Sequence, residues 1–312
     1  MKAFSNPMVF VGGFMILVVV VAALFAPLIA PYNPKERVRV TIDTIYAKPN
    51  AEHLLGTDDA GKDVLTNLLY GARVSLIVGF FASLISVVIG GLLGMLSGYA
   101  GGRVDTVISG FTNITLVIPD LPLAIVLVAL LGPSLLNIIL VIGLLGWTGT
   151  ARLVRSQTLS VKERKLVLRT KALGAGHAHI LRKHILPHVL PLVVANTVLV
   201  ISLAILNEST LSFLGLSDPT RVSWGQMLNY AFTRGAMSAG AWWALVVPGF
   251  GIVWLVLGCT LLGNGLEQVL NPRLESHHLT NNRDMIQTSE ATAEATPRLA
   301  SRKRVVKRQG EV

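Results

Sequence analysis

The sequence predicts an all-α polytopic membrane protein with six transmembrane helices and a folded basic element between the fourth and fifth. Three observations predict it. The 312 residues are 52% hydrophobic and 14% charged, against about 25% charged in a soluble domain. Apolar runs of about 18 residues or more recur along the chain. The one long interruption, Arg152 to Pro191, is too long for a tight turn and too helix-like for a loose linker. Helices are required because open sheets and irregular loops would leave unpaired backbone facing lipid.

The first span runs from about Pro7 to Ile29 and is stopped by Ala30-Pro31-Tyr32-Asn33-Pro34. Only Lys2 precedes it, and its apolar run exceeds the roughly 7–15 residues of a signal-peptide core, so it reads as an uncleaved anchor. A polar loop follows over residues 31–72. A five-helix region spans 73–274, with helices at about Arg73–Tyr99, Val104–Leu131, Ser134–Ala151, His188–Leu214 and Ala241–Leu266. At 1.5 Å per residue each reaches roughly 27–40 Å, enough for a hydrocarbon core of about 30 Å. Residues 275–312 are polar, end in Arg302-Lys303-Arg304 and Lys307-Arg308, and are expected to be a disordered tail resting on anionic lipid.

Charge placement orients the spans. With the N-terminus in the cytoplasm, 19 of the 27 Lys and Arg lie inside; the outer side keeps Lys35, Arg37, Arg39, Lys48, Lys62, Arg73, Arg221 and Arg234. The positive-inside rule therefore places both termini and the basic element, residues 152–187, in the cytoplasm. The net charge of +10 is explained by topology, and nucleic acid is not an expected partner. A single cysteine, Cys259, excludes a disulfide framework or thiolate metal cluster within one chain.

Gly56-Thr-Asp-Asp-Ala-Gly61-Lys62-Asp63 imitates a phosphate loop, but Asp63 stands where Ser or Thr must hold Mg²⁺. It reads as a turn before the second span. Gly90, Gly94 and Gly98 share one helix face and invite a close helix neighbour. Pro119 and Pro122 bend the third span beside Asp120, which either lines a pathway or pairs near an interface. Asn207 and Glu208, near the outer end of the fifth span, either line the pathway or cap local backbone at the surface. Trp242 and Trp243 fit an aromatic belt. His184 and His188 have the i, i+4 spacing of metal ligands, but no carboxylate accompanies them and no metal site is expected. No Ser-His-Asp or paired-carboxylate set suggests hydrolysis.

Within the basic element, Arg155, Leu159, Lys162 and Lys165-Leu166 continue a helix past the fourth span, with Val161, Leu168 and Leu173 as apolar positions. Gly174-Ala175-Gly176 breaks it, His177–Ile185 forms a second short helix, and Pro187 closes the unit. Lipid binding by a basic amphipathic segment is the alternative reading.

Gly174, followed after nine residues by His184-Ile185-Leu186-Pro187, resembles the signature of membrane permease subunits of bacterial ABC importers. The run from Arg155 through Arg164 and the Lys171-Ala-Leu-Gly-Ala175 segment are similar to the dipeptide/oligopeptide/nickel branch. So are His53-Leu-Leu-Gly-Thr-Asp-Asp-Ala-Gly-Lys-Asp63, Tyr70-Gly-Ala-Arg-Val-Ser-Leu76, Leu211-Ser-Phe-Leu-Gly215, Trp224-Gly225 and Asn271-Pro272-Arg273-Leu274. The order of first span and long loop looks like the second of two paired permeases. The family signature has Glu-Ala-Ala where this chain has Leu168-Arg169-Thr170, so an acidic contact is absent or replaced by a basic one.

The resemblance implies a type I importer transmembrane fold and a non-enzymatic subunit in a bacterial inner membrane. Its partners would be a second homologous permease, two ABC ATPase subunits or domains, an extracytoplasmic solute-binding protein and membrane lipid. ATP and Mg would sit on the ATPases, with no cofactor on this chain. Arg169, Lys171, Ala172, Gly174, Ala175, His184, Ile185 and Pro187 would couple to the ATPase, and Asp120, Asn207 and Glu208 are pathway candidates. Di- or oligopeptides are the implied cargo, with nickel, glutathione or another small solute as alternatives. An ion-coupled carrier would need more intramembrane ionisable residues than Asp120 and Glu208.

Overall fold

The computed structural model describes residues 6–34 and 40–270. Met1–Glu267 form one unit and Gln268–Val312 a second, of which only the last residues of a helix are described. The expected tail and the Asn271–Leu274 motif lie outside the described residues.

Twelve helices occur among the described residues. α1 (Pro7–Leu24) starts under an Asn6 cap whose Oδ1 accepts from Met8 N at 2.9 Å, with Pro7 where a missing N–H costs nothing. A short α2 (Ala26–Ile29) follows. α3 (Val64–Ala100) has 37 residues and begins more than two turns before Arg73, because Asp63 caps it: its Oδ2 accepts from Thr66 N at 2.7 Å and Thr66 Oγ1 at 2.8 Å. Propensity around Arg73 did not reveal that start; the cap did.

The third expected span is broken. α4 (Gly102–Val117) and α5 (Asp120–Leu131) meet at 83° around Ile118-Pro119, since proline disfavours helical backbone in the residue before it. α6 (Leu135–Leu145) and α7 (Trp147–Lys162) together make the fourth span, and α7 runs on to Lys162. α8 (Lys165–Ala172) and α9 (His177–Ile180) form the basic element, followed by a π-helical turn, Leu181–Ile185. α10 (Leu186–Phe213) starts with Pro187 in its first turn. α11 (Trp224–Thr233) precedes α12 (Trp243–Leu270). Five helical segments are long and apolar enough to cross a membrane, and the bent α4–α5 pair is the sixth candidate.

α3 is the axis of the unit. Its small-residue stripe lets α7 lie against it: a Cβ on Gly90 would come 2.4 Å from Trp147 O, on Gly94 2.3 Å from Ala151 O and on Gly98 2.8 Å from Arg155 O. Ser86, one turn earlier on that face, donates to Gly143 O at 2.8 Å. α1 and α12 are brought together where Gly12 meets Gly258 O and Leu262 N.

Candidate coupling surface and its supports

The basic element forms a platform that packs one face on the helices around it and leaves a basic face exposed. Val167, Ile180 and Ile185 are buried against Val154, Val161 and Val189, with Met95 and Tyr99 of α3 packed around them. Tyr99 Oη and His177 Nδ1 lie 2.8 Å apart and tie α9 to the end of α3. The other face is exposed and carries Lys165, Leu166, Arg169 and Lys171, then Leu173 at 88% exposure. Gly174 follows with φ +83, and no atom lies within 4 Å of where its Cβ would stand. Only glycine enters that backbone region without strain. The turn therefore thrusts an apolar tip outward, ringed by cations.

The expected coupling residues divide in two. Arg169, Lys171, Ala172, Gly174 and Pro187 are exposed, Ala175 and His184 are half-buried, and Ile185 is fully buried as part of the support. The apolar positions Val161, Leu168 and Leu173 do not share one environment: Val161 is buried with Val167, while Leu168 and Leu173 are exposed. Leu173 was missed as a site residue; its signal is an apolar side chain set between Lys171 and Gly174. His184 and His188 form no ring pair: His188 Nδ1 lies 2.7 Å from His184 O, and His184 instead neighbours His179. Among the described residues no group of three or more His, Cys, Asp or Glu could hold a metal.

A second support was also missed. Arg155 on α7 holds Asp105 on α4 through two bonds, Nε to Oδ1 at 2.6 Å and Nη2 to Oδ2 at 2.7 Å. Ser97 of α3 and Ser109 of α4 donate to the same carboxylate. One carboxylate thus joins three helices near the end of α7 that leads into the platform, and bidentate geometry fixes their relative rotation.

The pathway candidates sit in different surroundings. Asp120 is exposed in the first turn of α5, where the helix dipole favours a carboxylate. Asn207 is half-buried. Glu208 is 1% exposed, which excludes surface capping; Ser212 Oγ donates to its Oε1 at 2.7 Å, and Ser209 Oγ lies 3.5 Å from Oε2.

At the opposite end the phosphate-loop imitation is a clasp. Asp58 Oδ1 accepts from Ala60 N at 2.9 Å and Lys62 N at 2.8 Å, and Asp58 Oδ2 from Asn67 Nδ2 at 3.1 Å. Its burial pushes the Asp58 carboxyl above the usual carboxylate range. His53 Nδ1 lies 3.0 Å from Asp63 Oδ1, and Arg234 pairs with Asp59 while stacking on Tyr230. Trp243 corrects the aromatic-belt expectation: it is buried, and its Nε1 donates to Thr57 O at 3.1 Å, whereas Trp242 is exposed. No residue in the clasp is arranged to cradle phosphate.

This architecture is a bundle of membrane-length helices carrying a partly exposed basic element between two of them. Residues 90–276 match the family described as binding-protein-dependent transport system inner membrane component, and residues 2–49 match the N-terminal transmembrane domain of oligopeptide transport permease C. The chain belongs to the former family and is a multi-span, non-catalytic component of such a system, with a type I ABC importer transmembrane fold.

Among its relatives, the dipeptide transport system permease DppC of Haemophilus influenzae is 39% identical over 85% of this chain and 90% of its own length. DppC of Bacillus subtilis is 37% identical over 86% of this chain and 83% of its own. The oligopeptide transport permease OppC of the same organism is 32% identical over 86% and 87%. A solved structure of the MetNI methionine ABC transporter, inward facing, shares the fold at a TM-score of 0.53 and 19% identity, covering 65% of this chain and 96% of that one.

Proposed function

We propose that the chain is one of two permeases lining the translocation path of an ATP-driven importer of di- or oligopeptides. The peptide class is supported by the dipeptide and oligopeptide permeases it resembles. An extracytoplasmic binding protein delivers cargo to the side carrying the 40–63 loop. Two ATPase subunits dock on the platform, which faces the cytoplasm together with both termini, and ATP and Mg reside on them. Closure of the ATPases moves the platform, and its buried face passes that motion to α3, α7 and α10, which alternate between inward- and outward-open arrangements.

The observation that carries this reading is the Leu173–Gly174 tip, exposed on a base whose other face is buried. The tip enters an apolar recess on the ATPase. Lys165, Arg169 and Lys171 flank Leu168, which stands where the family signature begins with an acidic residue, so the recess of the partner has an acidic rim.

Gly174→Ile tests the coupling role. A β-branched side chain cannot hold positive φ, so the tip must refold, while nothing buried is disturbed. ATP-driven uptake is expected to vanish with membrane insertion intact. Full uptake with assembled ATPases refutes the coupling assignment. Cargo is tested by growth of a deletion strain, lacking other peptide importers, on a dipeptide as sole source of a required amino acid; normal growth refutes the peptide reading.

A further inference from the structure

A groove of about 450 Å³ opens between α1, α3 and α12 at the end that carries the clasp, walled by Ala22, Leu69, Trp224, Phe250 and Trp254 among others. Its polar wall atoms are already used: Trp224 Nε1 donates to Leu68 O at 2.8 Å and Trp254 Nε1 to Met15 O at 3.1 Å. A space lined only by apolar groups gives water no partners and stays dry. Gly251 keeps the bottom clear, since a Cβ there would come 3.2 Å from Leu68 Cδ1 and 3.3 Å from Trp224.

Arg73 marks the mouth. It follows Ala72, a wall residue, and reaches over to α1, donating from Nε to Ala23 O at 2.6 Å and from Nη2 to Leu24 O at 3.2 Å. These carbonyls lie where α1 ends, just before Phe25. The guanidinium also lies 5.1 Å from the centre of the Tyr70 ring. Among the described residues no carboxylate pairs with it. Of its five N–H donors only two meet acceptors among the described residues, which leaves donors that a phospholipid phosphate can accept from.

We infer that the groove holds one acyl chain of an anionic phospholipid of the outer leaflet, with the lipid phosphate against Arg73. Apolar wall and cationic mouth match the two halves of that molecule. The lipid fills the gap between α1 and α12 at this end, as Gly12 and Gly258 close it further along. Occupancy therefore sets how firmly the first span is seated.

The test uses the assembled transporter in phosphatidylcholine nanodiscs doped with phosphatidylglycerol that carries a photoactivatable acyl chain. Crosslinks mapped by mass spectrometry are expected on peptides bearing Ala22 and Trp254. Gly251→Leu, which fills the groove, should reduce them several-fold. Arg73→Gln should abolish the preference for the phosphatidylglycerol probe over a phosphatidylcholine probe of the same chain. Labelling at lipid-exposed Phe81 should persist in both variants and reports that they are folded. Labelling spread evenly over the lipid-facing helices and unmoved by Gly251→Leu overturns the inference. So does a disulfide between Val246→Cys and a cysteine on the second permease, which would show a protein helix in the groove.

Discussion

In the clasp, His53, Asp58, Asp63 and Arg234 each bond to another part of the chain. In the basic element, Lys165, Arg169, Lys171, Arg182 and Lys183 are exposed and form no ion pair among the described residues. Both regions are polar, both carry glycines at positive φ, and both join membrane helices. The difference lies in where the bonds go. A polar group whose partners are internal does structural work first, and only its spare donors or acceptors can meet another molecule. A cationic rim around an exposed leucine keeps both its donors and its apolar surface open, which is what the proposed ATPase dock requires. Residue type does not separate clasp from docking surface; the state of its bonds does.

The largest effect that would break this comparison is expected at the docking tip. Leu173→Glu changes a side chain that contributes little to the fold at 88% exposure. Losing a buried interface anchor costs about 2 kcal/mol or more of docking free energy, roughly thirty-fold in affinity. ATPase copurification and ATP-driven uptake should fall together while the melting temperature of the isolated permease stays put. A melting temperature that falls with unchanged ATPase binding would move Leu173 into the structural class.

Arg155→Ala should come next, and it tests the boundary between the classes. It strands Asp105 beside two serines at the joint of α3, α4 and α7. Both side chains are partly solvated, so the loss is below that of a fully buried pair, about 1–3 kcal/mol. A double-mutant cycle with Asp105→Asn should show coupling of more than about 0.5 kcal/mol. Additive effects would reduce the pair to a surface contact.

Asp63→Ala is a smaller break on the outer side. It removes the α3 cap and the His53 contact, for a loss of about 1–2 kcal/mol. Differential hydrogen exchange should locate the loosening at the first turn of α3, with ATPase binding unchanged. Loosening at the platform instead would mean that the two ends are energetically joined.

Much of this was legible in the sequence. Gly90, Gly94 and Gly98 announced a close helix contact by their four-residue period, though not that α7 would make it. Gly174 marked the tip, because a glycine between polar helix ends has few other uses. The parts that stayed hidden depend on distant partners. Asp105 and Arg155 are fifty residues apart, and nothing local links them. Trp243 looked interfacial beside Trp242 until Thr57, far back in the chain, took its N–H. Glu208 near a span end suits the surface equally well until the burial around it is seen.

The smallest expected effect is the sharpest probe of a clasp residue. Burial raises the Asp58 carboxyl above its ordinary value of 3.8, backbone donors at Lys62 and Ala60 offsetting part of the rise. The folded clasp then binds the proton more tightly than the unfolded chain does. Its contribution is fully present below the ordinary carboxylate value and is lost as pH rises through the higher folded one. Acidification across that window should steady the clasp. Asp58→Asn imitates the protonated form: its amide oxygen can still accept from Ala60 N and Lys62 N. Its amide nitrogen can donate to Asn67 Oδ1, which has no partner among the described residues of the wild type, once the Asn67 amide turns over. The variant at pH 7.5 should match the wild type or exceed it, within about 0.5 kcal/mol, and should lose the acid-induced gain. Thermal melts between pH 4.5 and 7.5 measure both. A loss above about 1 kcal/mol at pH 7.5 would show that the clasp needs the charge on Asp58 and not merely its acceptor geometry.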